Sequence, residues 1–428
     1  MLFVCNIIIF KLNQMIKSIR YSAAAAASSS NHQQQQQHYH NHRGLLCHSI
    51  KRDRRLRKCS RSSSSRTKGA DDNSNEQKVM YPNLLHEMVY ATQLCAKLTT
   101  KTQELLMKTD KVSKSDDSPV TVADYAAQAV VSYVLEKSFP KIPLLAEEDA
   151  VELRKNDNLL KRVTELLNEC VNDEDIAEEE VLRLIDRGNF KGGNDCAFFC
   201  LDPIDGTKGF INQRQYAIAL GYCENGKVVA GVLGCPNMPM KKIIVQESSE
   251  DDLDFLETEK PGVIFAAYEN FGCRYASMYA KEPLGKDSFL AKSDELIKSG
   301  KYGARYMESW GDSIVADHAF TNALSEKVGI TRKPLRVDSM AKYACLSRGD
   351  AHIYLRFPPK SYREKVWDHC AGAIIVTESG GVISDASGLP LDFGNGRFLD
   401  INEGIIASSN QELHDELLNA IAILRTTI

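Results

Sequence analysis

What the chain lacks narrows its class first. Its 12 cysteines contain no Cys-x-x-Cys pair and no histidine-flanked spacing, which excludes a zinc ribbon and a vicinal-dithiol redox motif. Cys196, Cys200, Cys223 and Cys235 lie in or beside apolar runs, where a reduced thiol acts as a small hydrophobe. Reduced core thiols are therefore expected, and the spacing marks out no redox-sensitive pair. No internal repeat is visible. The apolar start, Met1–Phe10, is too short to span a bilayer, and no later stretch is apolar enough to try.

Acid is almost missing from the beginning. Residues 1–69 hold 13 Lys and Arg but one acid, Asp53. That leaves 40 basic and 56 acidic residues in 70–428, a net of -16. An acidic body argues against non-specific nucleic-acid binding, which requires Lys and Arg at phosphates. It suits a protein that collects divalent cations. The same first residues carry Ala23–Ala27, Ser28–Ser30, Gln33–Gln37, an Arg-rich Lys51–Lys58 and Ser62–Ser65. Such a composition cannot bury an apolar face. Basic, Ser-rich and acid-poor, it reads as an organellar transit peptide with linker over 1–75, mitochondrial first and plastid as the alternative. A signal sequence and an unprocessed tail stay open, although no positive charge precedes the apolar start.

The remainder, 76–428, alternates helix and strand. A helix is expected from Pro82, where Leu84, Leu85, Met88, Ala91, Cys95 and Leu98 recur at helical spacing. After polar Lys108–Pro119, a helix is expected over Asp124–Phe139. Ile142–Ala146 reads as a buried strand delivering Glu147-Glu148-Asp149 at its end. Leu159, Leu160, Val163, Leu166 and Leu167 mark one amphipathic surface helix, and Val181, Leu182 and Ile185 another. Ala197–Leu201 is a strand running into Asp202. Tyr216–Cys223 and Lys227–Gly234 form a hairpin about Asn225-Gly226. Further strands are expected at Lys241–Gln246, Ala351–Leu355 and Gly404–Ala407, and helices at Asp368–Ser379 and Asn410–Leu424. The pattern predicts an α+β or α/β layered sandwich of stacked sheet and helix, not a barrel. An α+β lobe over about 76–305 and an α/β lobe over about 306–428 are expected.

Acids recur at strand ends and helix starts: Asp124, Glu147 with Glu148, Asp202 with Asp205, and Asp368. Carboxylates are hard donors suited to magnesium. Asp124 or Asp368 taken alone reads first as an N-cap. Asp202-Pro203-Ile204-Asp205-Gly206-Thr207 is more specific. Two carboxylates three residues apart repel unless a cation lies between them. Pro203 fixes the turn, and Gly206 permits close backbone approach.

That hexapeptide resembles the Asp-Pro-Ile/Leu-Asp-Gly-Thr/Ser signature of the lithium-sensitive, magnesium-dependent phosphomonoesterases of the inositol monophosphatase superfamily. Trp367-Asp368-His369-Cys370-Ala371-Gly372 is similar to its second signature, with Cys370 at a usual alanine, and Glu147-Glu148 to its glutamate pair. The 3'(2'),5'-bisphosphate nucleotidase branch fits best, and with it plant organellar members. The resemblance runs from about Tyr81 to the end. It is carried by Ser118–Gln128, Cys200–Phe210, Asp338-Ser339, Ala341-Lys342-Tyr343, Tyr354-Leu355-Arg356 and Leu391–Arg397.

The resemblance implies the layered fold shared with fructose-1,6-bisphosphatases. It also implies two or three Mg²⁺ ions held by Glu147, Asp202, Asp205, Asp368 and the carbonyl of Ile204. Asp202 would bridge two ions, and Asp124 and Thr207 would orient and deprotonate the attacking water. Thr207, Ser339, Lys342, Arg356 and Asp368 would bind the nucleotide, with Lys342 and Arg356 clamping the non-reacting phosphate. The implied reaction converts adenosine 3',5'-bisphosphate (PAP) to AMP and phosphate, with PAPS as a second substrate. No Cys-x5-Arg loop occurs, and no phosphoenzyme is required. The family's Gly-His contact has no match in register: in Glu308–His318 the histidine comes about three positions late, and Trp310 either stacks on a base or packs. The expected partner is a small-molecule nucleotide, met by a monomer, with no nucleic acid and no membrane. An inositol phosphate or sugar bisphosphate phosphatase is the alternative within the superfamily. A non-catalytic PAP sensor is the alternative outside it.

Overall fold

A computed structural model describes residues 71–108, 119–172, 175–243, 260–293, 303–310, 317–401 and 403–427. Helices α1 (Asp71–Lys108) and α2 (Pro119–Ser138) come first. Strand β1 (Leu144–Ala146), a 3-10 turn (Leu153–Lys155) and helices α3 (Asp157–Val171) and α4 (Glu178–Asp186) follow. Strand β2 (Phe198–Asp205) enters the short helix α5 (Thr207–Ile211). Next come β3 (Ala217–Glu224), β4 (Lys227–Cys235), β5 (Val263–Tyr268), β6 (Gly272–Ser277), β7 (Phe289–Leu290) and β8 (Tyr306–Glu308). Helix α6 (His318–Val328), β9 (Leu335–Arg336), α7 (Ala341–Arg348), β10 (Ile353–Arg356) and β11 (Glu364–Lys365) continue the chain. A second 3-10 turn (Val366–Asp368), α8 (Cys370–Glu378), β12 (Val382–Asp385), β13 (Phe398–Leu399), β14 (Ile405–Ser408) and α9 (Gln411–Thr427) complete it.

Among the described residues, β1 to β7 form one sheet in sequence order. Only its β1–β2 pair is parallel. A second sheet has the order β12-β14-β10-β8-β9, and β11 pairs with β13.

Strand side chains alternate between faces, and here each face meets a different layer of helices. Ile218, Leu220 and Tyr222 of β3 and Ile264 and Ala266 of β5 share one buried cluster with α1, α2, α3 and α4. Their neighbours Ala217, Ala219, Val263, Phe265 and Ala267 face α7 and α8 instead. That second cluster also holds Tyr354 and Ala407 of the five-stranded sheet. Ile353, Leu355 and Ile406, on its far face, pack on α6 and α9. The layers therefore run helix, sheet, helix, sheet, helix, the sandwich that the alternating pattern predicts.

Several elements differ from expectation at their ends. Proline is favoured in a first helical turn, which places a helix start at Pro82, yet α1 runs through it from Asp71. The buried positions described along α1 do begin at Tyr81 and Leu84. Helix α2 begins at Pro119, upstream of Asp124, because the fixed proline φ suits a first turn. The expected helix from Asp368 is a 3-10 turn first and an α-helix only from Cys370, since His369 leaves helical geometry (φ -135°, ψ -25°). Both single-residue capping readings fail for these reasons: Asp124 is inside a helix, and Asp368 precedes one. Lys241–Ile243 is not in a strand, and the rest of the strand expected there, with acidic Glu250–Asp254, lies outside the described residues. So do the leader up to residue 70 and Ser118 of the resemblance. The Asn225-Gly226 turn stands as expected, with positive φ at both residues (51° and 74°).

Candidate active site

The site is built at the end of β2. Residues three apart on a regular strand point to opposite faces. Between Asp202 and Asp205 the pairing with β3 slips: Asp202 opposes Ala219 and Asp205 opposes Ala217. This one-residue bulge spans Pro203, which has no N–H to offer a ladder, and it turns both carboxylates to one side. Gly206 then reverses the chain at φ 88° into α5. A side chain there would come within 2.6 Å of Ser339 Cβ, so the position is closed to other residues twice over.

Parallel pairing sets β1 beside β2, which brings Glu147 and Glu148 to the same end. Asp124 reaches them from α2. Asp202 is buried, and its carboxyl is pushed well above the usual range, by burial first and then by Glu147, Asp205, Asp368 and Asp124. Glu147 is exposed, yet its carboxyl is pushed up to about 8, by lost hydration and then by Glu148, Asp368 and Asp205, with a hydrogen bond to Asp202 opposing. Because solvent reaches Glu147, crowding of like charge is the cause that matters there. Burial raises Asp124 well above normal, helped by Glu148 and Glu147. Glu148 is pushed up to about 7, by burial and then by Asp149. Four of the expected acids thus interact as one group, with Asp124 beside it.

Asp202 Oδ1 is buried with no hydrogen-bond partner. A buried carboxylate oxygen without a partner is costly, and a hard cation is the natural one for an all-carboxylate set. The donor chemistry of Glu147, Asp202, Asp205 and Asp368 therefore suits a divalent metal, although among the described residues no three of these four have donor atoms all within 4.8 Å of one another. The buried carbonyl-bearing residue between them, Ile204, lies in the bulge itself.

A second acidic group adjoins the first. Glu364, Asp368 and His369 have donor atoms within 4.8 Å of one another, close enough to hold a metal ion. This group already has partners. Arg356 Nη2 lies 2.7 Å from Glu364 Oε2 and 2.9 Å from Asp368 Oδ2. His369 Nε2 is 3.1 Å from Glu364 Oε2, and Tyr343 Oη is 2.7 Å from His369 Nδ1. Burial would raise Glu364, but His369 and Arg356 hold it at about 2. An arginine inserted between two carboxylates does the work a cation would do. The group therefore serves better as a frame for Arg356 and Asp368 than as a metal centre.

The basic residues gather opposite the acids. Lys342 is buried in α7 and donates to Ser309 Oγ at 3.0 Å. Burial pushes its ammonium down to about 8, against Asp205 and Asp338. Ser339 holds φ 69°, a conformation that strains a non-glycine residue, and its Oγ accepts from Ala341 N at 3.1 Å. The next amide, Met340 N, donates to Asp205 Oδ2, so the Ser339 turn and the β2 end are joined directly. Thr207 lies exposed at the start of α5, and among the described residues no hydrogen bond joins it to Asp124. Trp310 is half-buried, with the Arg214 and Arg336 guanidinia 5.7 Å and 5.8 Å from its ring centre. Its backbone N–H donates to Asp338 Oδ1 at 3.2 Å. His318 opens α6 3.8 Å from Glu308, and 311–316 between them lie outside the described residues.

Residues without an expected role also shape the site. Gln128, fully buried on α2, donates to Glu148 O at 2.7 Å and accepts from Glu148 N at 3.0 Å. Arg397 reaches the carbonyl of Ala146 at 2.6 Å. Both sit inside stretches that carry the resemblance, but their partners are backbone groups, which leave no trace in side-chain pattern. Glu364 lies in Arg363-Glu364-Lys365, which reads as an ordinary solvated charge run.

The inositol monophosphatase family profile matches residues 85–425. A 3'(2'),5'-bisphosphate nucleotidase of Oryza sativa is 42% identical over 344 residues, covering 77% of this chain and 91% of the relative. The 3'(2'),5'-bisphosphate nucleotidase 1 of Arabidopsis thaliana is 43% identical over 341 residues, covering 77% and 93%. Among solved structures, CysQ from Bacteroides thetaiotaomicron, a bacterial member of the inositol monophosphatase family, has a TM-score of 0.50 at 16% identity. That match covers 78% of this chain and 100% of the other, and it is a likeness of fold alone.

Proposed function

Because the chain belongs to the inositol monophosphatase family, we propose that it is a magnesium-dependent bisphosphate nucleotidase, which releases the 3'-phosphate of PAP to give AMP and phosphate. PAPS, with the same 3'-phosphate, is a second substrate of this reading. The observation that carries it is the pairing of two opposite charge fields in one site. Crowded carboxylates at the ends of β1 and β2 face Lys342 and Arg356, which suits a ligand with one phosphate to cleave and another to hold.

A divalent cation held by Glu147, Asp202, Asp205 and Asp368 would supply positive charge at the phosphoryl oxygens and acidify a water molecule. The chain supplies the rest. Asp124 presents a carboxylate beside Glu147 and Glu148, where it can accept the proton of the attacking water, with the Thr207 hydroxyl as relay. Lys342 and Arg356 hold the second phosphate. The Arg356 fork is oriented by Glu364, whose Oε1 accepts from Arg356 Nε at 2.8 Å, so the guanidinium enters the site already aligned. Trp310, with two arginines beside its ring, is the candidate contact for the base. The basic, acid-poor first 69 residues support import into an organelle, and mass spectrometry of the mature N-terminus tests it.

The test of substrate is phosphate release from PAP, inositol 1-phosphate and fructose 1,6-bisphosphate, with magnesium and with or without lithium. PAP is expected to turn over fastest, and lithium to inhibit. Fast hydrolysis of the inositol ester alone would sink the nucleotidase reading. PAP binding without hydrolysis of any ester would make the chain a sensor.

A further inference from the structure

The stretch Leu391–Arg397 contributes neither acid nor nucleotide contact to the site, yet it ends beside both acid-bearing loops. Arg397 Nη2 donates to Ala146 O at 2.6 Å, the residue before Glu147. Its Nη1 donates to Gly188 O at 3.1 Å and Phe190 O at 3.3 Å, in the loop that pairs with β1. Its guanidinium lies 4.7 Å from the ring centre of Trp367, the residue before Asp368. Its own carbonyl accepts from Val366 N at 3.2 Å, two residues before Asp368. One residue thus ties the end of β1 to the 3-10 turn that presents Asp368.

The rest of the stretch holds Arg397 in place. Phe393 is buried, and its N–H donates to Gly226 O at 3.0 Å in the β3–β4 turn. Gly396 turns at φ 90° against Gly192, where a side chain on Gly192 would meet it at 3.0 Å. The two glycines let the backbones pass closely enough for the guanidinium to reach three carbonyls. The acceptors of the two Arg397 Nη groups are all backbone carbonyls, so its described partners are parts of the frame and not the site's carboxylates.

We propose that Arg397 is a positioning residue that sets the spacing between the Glu147 and Asp368 carboxylates, and through it the affinity of the site for its divalent cation. This rests on the metal-dependent reading above. Lysine is a poor substitute: one ammonium cannot span the Ala146 and Gly188 carbonyls while also lying over the Trp367 ring.

The test is calorimetric titration of Mg²⁺ into the wild-type chain, Arg397→Lys and Arg397→Met, with metal-free melting as the check on folding. Loss of an outer partner of a metal ligand typically weakens metal binding about 10–100-fold. Arg397→Met is expected at the upper end of that range and Arg397→Lys at the lower end. At saturating Mg²⁺, kcat should fall far less than Mg²⁺ affinity does. If Arg397→Met does not fold, Arg397→Lys carries the test. Variants that fold and bind Mg²⁺ as the wild type does overturn the inference alone. So does a loss of kcat with unchanged Mg²⁺ affinity. A wild-type chain that binds no Mg²⁺ overturns the metal-dependent reading and the inference with it.

Discussion

Two acidic neighbourhoods meet at Asp368, and they are opposite in kind. On the β1–β2 side, burial raises Asp202 and Asp124, Glu147 raises both further, and one Asp202 oxygen has no partner. On the β11 side, Glu364 is fully buried too, but Arg356 and His369 satisfy it and hold it at about 2. Burial is therefore not what distinguishes a functional carboxylate here; an unmet need for positive charge is. The first neighbourhood is electrostatically incomplete and calls for a cation. The second is complete and serves as a scaffold.

The sharpest way to separate them is to remove a charge from each. Asp205→Asn keeps an oxygen to accept from Met340 N but loses the anion. Turnover should fall on the order of 10³-fold, the scale of losing one preorganised electrostatic contact, while the fold stands. Steady-state kinetics with circular dichroism checks this, and retained activity at saturating magnesium would remove Asp205 from the metal site. Glu364→Gln is the mirror case. It leaves Arg356 with Asp368 as its one remaining carboxylate and removes the anion beside buried His369, which should cost about 3 kcal/mol of stability in denaturant unfolding. An unchanged unfolding midpoint would mean that Glu364 is no scaffold.

The comparison also predicts opposite responses to pH in the metal-free chain. Glu147 is raised from 4.5 to about 8, so its contribution is full below pH 4.5 and is lost as pH rises towards 8. Glu364 is lowered from 4.5 to about 2, so its contribution is present above pH 4.5 and is lost as pH falls towards 2. At about 1.4 kcal/mol per unit, the Glu364 effect is of order 3 kcal/mol. The Glu147 effect is smaller, because solvent reaches that side chain. Melting temperatures in EDTA should therefore peak between these limits, and saturating magnesium should flatten the alkaline side. A magnesium-independent alkaline slope would contradict the assignment of Glu147.

The incomplete neighbourhood was legible in the chain and the complete one was not. Asp202 and Asp205 follow an apolar run, Glu147 and Glu148 follow another, and Pro203 and Gly206 mark the turn. The bulge that aims both aspartates the same way is implied by their spacing, once a strand is assumed to continue through them. Glu364, in contrast, is one acid between Arg363 and Lys365, and its partners Arg356 and His369 come from other elements. Gln128 and Arg397 bond backbone carbonyls, which no side-chain pattern records. In the fold, the layered order followed from the alternation of helices and strands along the chain. Strands of two or three residues, such as β7, β8 and β9, are too short for periodicity to register.

The central claim is that the crowded carboxylates act through a divalent cation on a nucleotide phosphate. Phosphate release from PAP by the wild-type chain, followed as magnesium is added back after EDTA treatment, tests it most directly. The account predicts no release in EDTA and saturable recovery with magnesium. Undiminished release in EDTA would contradict it.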